Sequence, residues 1–369
     1  MRIGIVTFQS APNYGAALQA YALQTYLEKI GHSPFFIRWN RYESTPADEP
    51  RGSFTWIPRK PVHKVYMKLL RRKFRSFSDR YLKNTPLFYP TFNELSANPP
   101  AADAYICGSD QIWNPRFVSP RRQPIAWLRF GHEDARRVAY AASFGRPDLD
   151  DDLRQRWTSY ASDLNAVSVR EEEGIELMRI LGRQDAEWVP DPTLLLSPDD
   201  YVALASGAIH SGEDYLFSYM IHAGSDNSDV YAKCKGRIRG LRRLALRECE
   251  PRWAPMRALL TRNMPSPNEW LGRLHNAAFV MTNSFHGLMF SLLFRRPFVV
   301  VLRTGAGIVL NGRLQSILRV AGLEHRAVVQ YARDQVACLC QEEIDWDPVN
   351  RRLATFRETG QRFLRSALS

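Results

Sequence analysis

The stretch AFVMTNSFHGLMFSLLFRRPFVVVLR, residues 278–303, predicts a strand, a helix and a second strand in direct succession. Its first four residues form an apolar run with the length of a buried strand, and Thr282-Asn283-Ser284 can then cap a helix. Apolar residues fill the helix up to Arg295-Arg296-Pro297, which ends it, and a second apolar run begins at Phe298. A unit of this kind is typical of parallel α/β folds.

His286 occupies the corner where this strand stops and the helix begins. In an open parallel sheet that corner is the usual place for a ligand, and the helix N-terminus favours an anion. The region from Trp270 to Leu323 contains no Asp or Glu, but it contains six arginines and two histidines. We therefore predict a site for a strongly anionic ligand. The alternative is a solvated basic face without a ligand, in which His286 only packs in the core.

The length of 369 residues favours two domains. Residues 2–8 and 16–30 predict a strand and a helix that open the first α/β domain, and the absence of GxGxxG between them disfavours a nicotinamide enzyme. A strand at 215–221, a helix at 230–240 and a strand at 244–248 open the second. We predict an N-terminal domain over residues 1–190, a C-terminal domain over residues 191–345 and a C-terminal helix over residues 346–369.

Polar residues follow the predicted strands of the first half. Asp110 lies just after a strand at 104–107, Ser143 after a strand at 138–142, and Arg170 after a strand at 167–169. Such positions are well placed to meet a ligand. A carboxylate in the turn Gly108-Ser109-Asp110 can equally serve only the turn itself.

Residues 59–83 carry most of the net charge of the chain. This segment has ten Lys or Arg against one acid, Asp79, which gives +9 of the total of +12. Apolar residues recur in it at helical spacing. The pattern predicts a basic amphipathic helix, inserted in the first domain, with the composition of a segment that lies on an anionic bilayer. A helix packed on its domain with a solvated basic face would show the same pattern.

Composition restricts the compartment and the chemistry. The hydrophobic content of 45% and the charged content of 24% are those of a globular protein. The five cysteines form no CxxC pair, which disfavours a disulfide framework or a zinc site. No apolar run is long enough to span a membrane. We expect a cytoplasmic protein without a metal, which can also lie peripherally at the inner face of the cell membrane.

Several short motifs occur together, and with them the chain resembles the polysaccharide pyruvyl transferase family. In chain order they are GIVTF (4–8), NYGAALQAYAL (13–23), GSDQIWNP (108–115), YAASFG (140–145), SVRE (168–171), VPDPTLLL (189–196), SPNEWL (266–271), TNSFHG (282–287) and FSLLFRRPFVV (290–300), followed by Asn311 and Arg313. The basic segment at 59–83 has no counterpart in this pattern.

The resemblance implies an α/β fold with two Rossmann-like domains that face a cleft, similar to GT-B glycosyltransferases. It also implies transfer of the enolpyruvyl group of phosphoenolpyruvate to a sugar, which forms a cyclic pyruvate ketal and releases phosphate. Phosphoenolpyruvate would be a donor substrate, and no cofactor is implied. The acceptor would be a polysaccharide or a lipid-linked glycan of the bacterial cell envelope. No nucleic acid is expected as a partner.

The chemistry assigns roles to the candidate residues. Histidine changes charge near neutral pH, so His286 is the candidate acid that protonates the vinyl carbon. Asp110 is the candidate base or orienting group for the acceptor hydroxyl. Arginine forks suit the phosphate and carboxylate of the donor. The expected substrate-binding residues are Arg170, Arg303, Arg313, Ser284, Gly287, Asn13, Ser143 and Asn311.

Two other functions fit parts of the sequence. The first is a GT-B glycosyltransferase that uses a nucleotide sugar, although Trp270 to Leu323 lacks the carboxylate with which such enzymes commonly hold a ribose. The second is a non-enzymatic basic protein that binds a membrane or nucleic acid through residues 59–83. Aromatic residues are not interleaved in that segment as single-strand binding would require.

Overall fold

A computed structural model describes residues 1–9, 11–40, 61–205, 214–221, 242–248, 263–304, 308, 310–329 and 333–369. The chain divides into two compact units. The first unit comprises Met1–Ile57, Arg75–Leu196 and Phe356–Ser369, and the second comprises Pro58–Phe74 and Ser197–Thr355. The predicted helix at 230–240 lies outside the described residues.

The first unit contains a seven-stranded sheet in which every pairing is parallel. Its strands are β1 (Arg2–Val6), β2 (Ser33–Trp39), β3 (Asn84–Tyr89), β4 (Ala104–Cys107), β5 (Arg136–Ala142), β6 (Ala166–Val169) and β7 (Glu187–Trp188). They lie in the order β3-β2-β1-β4-β5-β6-β7. The direction of progression therefore reverses between β1 and β4, which makes this pair the switch point of the sheet.

The second unit contains a five-stranded sheet with the same kind of topology. Its strands are β8 (Tyr215–Ile221), β9 (Arg242–Glu248), β10 (Phe279–Thr282), β11 (Phe298–Val301) and β12 (Ala327–Val328). They lie in the order β12-β11-β10-β8-β9, and all pairings are parallel. Here the switch point lies between β8 and β10.

Helices connect the strands. They are α1 (Tyr14–Lys29), α2 (Pro61–Tyr81), α3 (Phe92–Ala97), α4 (Gln123–Ala126), α5 (Asp151–Ser162), α6 (Glu173–Ile180), α7 (Pro198–Leu204), α8 (Pro267–His275), α9 (Phe285–Leu293), α10 (Gly312–Ala321), α11 (Arg333–Leu339) and α12 (Trp346–Ala367). Among the described helices, none is both long enough and apolar enough to cross a membrane.

Stacked tryptophans fill the core beside the carboxyl ends of β4 and β5. Trp113 and Trp127 stack with ring centroids 4.0 Å apart, and Phe144 and Trp157 pack around them. All four side chains are buried. Because Trp113 belongs to the loop after β4 and Phe144 to the loop after β5, the core holds both loops in place.

The helix α12 contributes to both units. Its first half belongs to the second unit, whereas the half from Phe356 onward packs in the first unit, where Phe356 lies 5.0 Å from Trp188 and Phe363 lies 6.2 Å from Tyr140 between ring centroids. The predicted ranges treated residues 346–369 as a separate element. The apolar face of this half explains why its residues join the first unit instead.

The strand–helix–strand prediction for residues 278–303 is confirmed as β10, α9 and β11, within one residue at each strand end. The predicted strands at 104–107 and 215–221 have the observed bounds. The predicted helix at 59–83 is α2, and both ends are within two residues. The sequence pattern does not predict β3, β7 and β12, which lie at sheet edges and are short or only partly apolar.

Candidate functional site

A buried glutamine bridges the switch point of the first unit. Thr7 follows β1, and Ser109 follows β4. Gln19 of α1 donates from Nε2 to Thr7 Oγ1 at 2.8 Å, and its Oε1 accepts from the backbone N–H of Ser109 at 3.2 Å. The amide thus joins the ends of two strands whose carboxyl edge is the usual ligand position in this fold.

Asp110 projects from this edge on a tightly fixed loop. Its φ is +48°, in the left-handed region. Apart from glycine, asparagine and aspartate are the residues most often found in this region. Gly108 has φ +127° and approaches the carbonyl of Tyr140 so closely that a Cβ would collide with it. The side chain of Asp110 is 16% exposed, so the loop presents a carboxylate with limited access to solvent.

Arg170 is the centre of a buried ionic cluster. Its Nη1 lies 3.1 Å from Asp191 Oδ2 and 3.8 Å from Asp110 Oδ1, and its Nε lies 3.0 Å from Glu171 Oε1. The side chains of Arg170 and Asp191 are 0% exposed. Burial alone would lower the pKa of Arg170, but the carboxylates of Glu171, Asp191 and Asp110 outweigh burial and raise it. The guanidinium is therefore a permanent charge.

Hydroxyl groups complete the cluster. Ser109 Oγ donates to Asp191 Oδ2 at 2.9 Å, and the backbone N–H and Oγ1 of Thr193 donate to Asp191 Oδ1 at 3.0 and 2.8 Å. Ser143 Oγ donates to Glu171 Oε1 at 2.8 Å. With three carboxylates around one guanidinium, this edge of the first unit carries a formal excess of two negative charges.

The predicted contacts at Asn13 and Ser143 have structural tasks in the first unit. Asn13 is the N-cap of α1, where its Oδ1 accepts from the backbone N–H of Ala16 at 3.0 Å. Ser143 is fully buried against Glu171. Direct contact of either side chain with a substrate stays a prediction, as does anion binding by Arg170.

His286 lies in the first turn of α9, at the switch point of the second unit. Ser284 is the N-cap of this helix, and its Oγ accepts from the backbone N–H of Gly287 at 3.3 Å. Thr282 Oγ1 accepts from the backbone N–H of Ser284 at 3.0 Å, and a Cβ at Gly287 would collide with the same hydroxyl. Gly287 therefore lets the helix terminus approach the end of β10, where His286 is 7% exposed.

Two asparagine side chains in the second unit each form a pair of hydrogen bonds with the backbone of a residue at or after a strand end. Asn283 accepts from the backbone N–H of Ile221 at 2.6 Å and donates to its carbonyl at 2.9 Å, which joins the ends of β8 and β10. Asn311 makes the same pair of bonds with Arg303, at 2.9 Å each. The predicted site residue Asn311 thus fixes the backbone that carries Arg303.

Arg303 follows β11, and Arg313 lies in the first turn of α10. Both side chains are half-buried. They belong to the acid-free stretch and lie, like His286, just after strand ends or at a helix start in the second unit. The structure thus distributes the predicted residues between two edges, with Asp110, Arg170, Asn13 and Ser143 in the first unit and His286, Ser284, Gly287, Arg303, Arg313 and Asn311 in the second.

Comparison with known families decides the assignment. A sequence model of polysaccharide pyruvyl transferase matches residues 13–304, which include α1, the loop after β4 and the switch point of the second unit. The chain belongs to the polysaccharide pyruvyl transferase family. Membership of this pyruvyl transferase family implies a transferase with a glycan acceptor. No curated protein matches the chain.

Solved structures show that this pyruvyl transferase family member has a GT-B fold. The UDP-N-acetylglucosamine 2-epimerase from Rickettsia bellii aligns with a TM-score of 0.52 at 10% identity, over 99% of this chain and 96% of its own. A second UDP-N-acetylglucosamine 2-epimerase gives 0.52 at 10% identity, over 100% and 94%. At such identities the similarity concerns the fold alone, and the predicted α/β fold of GT-B type is confirmed.

Sequence reasoning missed several residues that shape the two edges: Gln19, Glu171, Asp191, Thr193 and Asn283. Gln19 lies inside the helix of NYGAALQAYAL, and Asp191 inside VPDPTLLL, so the motifs contain a signal for both. Their role becomes visible only when the sheet order brings β1, β4 and β6 together. Among the described residues, no group of His, Cys, Asp and Glu is placed to hold a metal.

Proposed function

We propose that this chain transfers the enolpyruvyl group of phosphoenolpyruvate to a sugar of a polysaccharide or lipid-linked glycan, with formation of a pyruvate ketal and release of phosphate. One observation carries the proposal. The family match covers a switch point where His286 lies in the first turn of a helix, within a stretch that has arginines and no acid. Such a helix terminus favours a small, highly charged anion.

The proposed reaction assigns one proton transfer to each edge. His286 gives a proton to the vinyl CH₂ carbon, and a sugar hydroxyl forms a C–O bond to the adjacent carbon. Asp110 takes the proton of that hydroxyl. The C–O bond to phosphate then breaks, phosphate leaves, and a second hydroxyl attacks the same carbon and loses its proton, which closes the ketal ring. His286, neutral after its own proton transfer, accepts the proton of the second hydroxyl.

The charges of the two edges support this division. Arg303 and Arg313 offer planar donors for the phosphate and carboxylate of the donor. The carboxylates around Asp110 disfavour a trianionic ligand in the first unit and are suited to sugar hydroxyls, which donate hydrogen bonds. The geometry of Arg170 supports a positioning role, in which it holds these carboxylates in place.

Phosphate release tests the proposal. The full chain is incubated with phosphoenolpyruvate and a panel of nitrophenyl glycosides and lipid-linked glycans, and free phosphate is measured. We expect phosphate release that depends on the acceptor. His286→Ala should lower its rate by at least about 100-fold, the usual contribution of a general acid. His325→Ala is the matched control, because His325 lies in the same unit with a half-exposed side chain paired to Glu342.

Two outcomes would overturn the proposal. Equal rates for His286→Ala and wild type would remove the assigned acid. The reaction would be glycosyl transfer instead of pyruvyl transfer if no acceptor gave phosphate release and a nucleotide sugar gave a product. The second result would agree with the GT-B fold but not with the absence of acids from Trp270 to Leu323.

A further inference from the structure

The outward half of α2 is strongly basic and remains outside the chemistry of the proposed reaction. Of the helix side chains that the structure describes, Leu70, Phe74 and Phe77 are buried, with Phe77 packed against Tyr21 and Tyr81. The apolar stripe of the amphipathic pattern is thus already covered by protein. A bilayer that contacts α2 must therefore meet its other side.

The other side carries what we call the basic face of α2. It comprises the exposed residues Lys64, Lys68, Arg71, Arg72 and Arg75, together with the exposed aliphatic residues Val65 and Leu69. At 3.6 residues per turn, the five cations fall within an arc of about 100°. Val65 and Leu69 lie directly beside them and are 50% and 39% exposed.

The ion pairs of this region lie off the basic face. Lys73 pairs with Glu269 at 3.0 Å, and Lys83 pairs with Glu28 at 2.8 Å. Within the part of the chain that the structure describes, none of the five cations of the basic face lies within ion-pair distance of a carboxylate. Asp79 is the one acid of α2, and it lies on the same side of the helix, one turn after Arg75.

We propose that the basic face of α2 docks on an anionic lipid surface. Five adjacent cations complement the negative headgroups, and Val65 and Leu69 are placed to enter the boundary between headgroups and acyl chains. A nucleic acid fits less well, because base stacking needs exposed aromatic rings and the Phe residues of α2 are buried. The proposal stands without the assigned reaction. If the proposed function holds, docking would bring the enzyme to a lipid-linked acceptor at the inner face of the membrane.

Vesicle sedimentation tests the docking surface. The full chain is mixed at low ionic strength with phosphatidylcholine vesicles that contain about one-third phosphatidylserine, or none. We expect binding only to the anionic vesicles. Each cation near the surface contributes about five-fold, so the variant Lys68→Gln, Arg71→Gln, Arg72→Gln should bind roughly 100-fold more weakly. Because these side chains are exposed, the melting temperature should not change.

A matched variant tests whether binding depends on the position of the charges on α2 or only on the net charge of the protein. Arg154→Gln, Arg179→Gln, Arg351→Gln removes the same three charges from exposed positions elsewhere and should bind almost as wild type. The pair Val65→Ser, Leu69→Ser keeps all charges, and binding should fall by about ten-fold or more, as expected for lost insertion of two aliphatic side chains.

Three results would overturn the proposal. The first is no binding of wild type to anionic vesicles. The second is an equal loss of binding in both charge variants, which would reduce the effect to net charge. The third is binding of a single-stranded oligonucleotide that the α2 variant abolishes, with vesicle binding unchanged. Phosphate release on soluble acceptors is measured in parallel, so that failure of docking and failure of the proposed reaction are told apart.

Discussion

The two switch points share a topology and differ in charge. In each unit an amide side chain joins the ends of the two central strands, Gln19 in the first unit and Asn283 in the second. In the first unit the edge is filled by carboxylates around the buried Arg170, whereas the second unit has no acid from Trp270 to Leu323. The two edges thus share one topology, and their residues give them opposite charge.

The largest expected effect concerns the buried charge of the first unit. Arg170→Met should lower the free energy of unfolding of that unit by about 3–5 kcal/mol, because Asp191 would remain buried without its cation. Denaturant unfolding, followed through the fluorescence of the tryptophan cluster, measures the change.

An exposed pair in the same unit provides the control for Arg170. Arg179 and Glu176 are both more than half exposed, so Arg179→Met should change the free energy of unfolding by less than about 1 kcal/mol. If Arg170→Met also changed the free energy of unfolding by less than about 1 kcal/mol, Asp191 would not depend on Arg170 for its burial. The comparison of the two edges by charge would then lose its energetic support.

The next effect concerns the arginines of the second unit. Arg303→Met or Arg313→Met should weaken the binding of phosphoenolpyruvate by about ten-fold or more, the loss expected for a hydrogen bond to a charged group. Calorimetric titration measures it. Because both side chains are only half-buried, the free energy of unfolding should change by less than about 1 kcal/mol.

Arg319 provides the control for Arg313 within one helix. It lies exposed in the last turn of α10, whereas Arg313 lies in the first turn. Arg319→Met should leave the affinity unchanged. Equal losses in the variants of Arg313 and Arg319 would indicate a diffuse basic field instead of a local anion site.

The smallest expected effect compares the two helix caps. Asn13→Ala and Ser284→Ala should each lower the free energy of unfolding by about 1 kcal/mol, since each removes an N-cap hydrogen bond. The variants should differ in the thermal shift caused by phosphoenolpyruvate, which should fall in Ser284→Ala and stay in Asn13→Ala. A reduced shift in Asn13→Ala alone would move the donor to the first unit.

The sequence predicted much of this architecture because the decisive elements are apolar runs with clear boundaries. Residues 278–303 illustrate this, since a run of four buried residues, a cap and a Pro each act locally. The assignment of His286 to a helix start was equally local. The interior ion pair of Arg170 and Asp191 could not be predicted, because the two residues meet only through the order of the strands. For the same reason the hydrogen bond from Ser143 Oγ to Glu171 could not be predicted.

The division of α12 between the two units has a consequence for synthesis on the ribosome. The first unit needs residues 356–369 to cover Tyr140 and Trp188, and these residues are made only after the whole of Ser197–Thr355. Domains generally fold as they emerge from the ribosome. The second unit can therefore complete its core first, while the part of the chain that is translated earliest waits longest for its final packing.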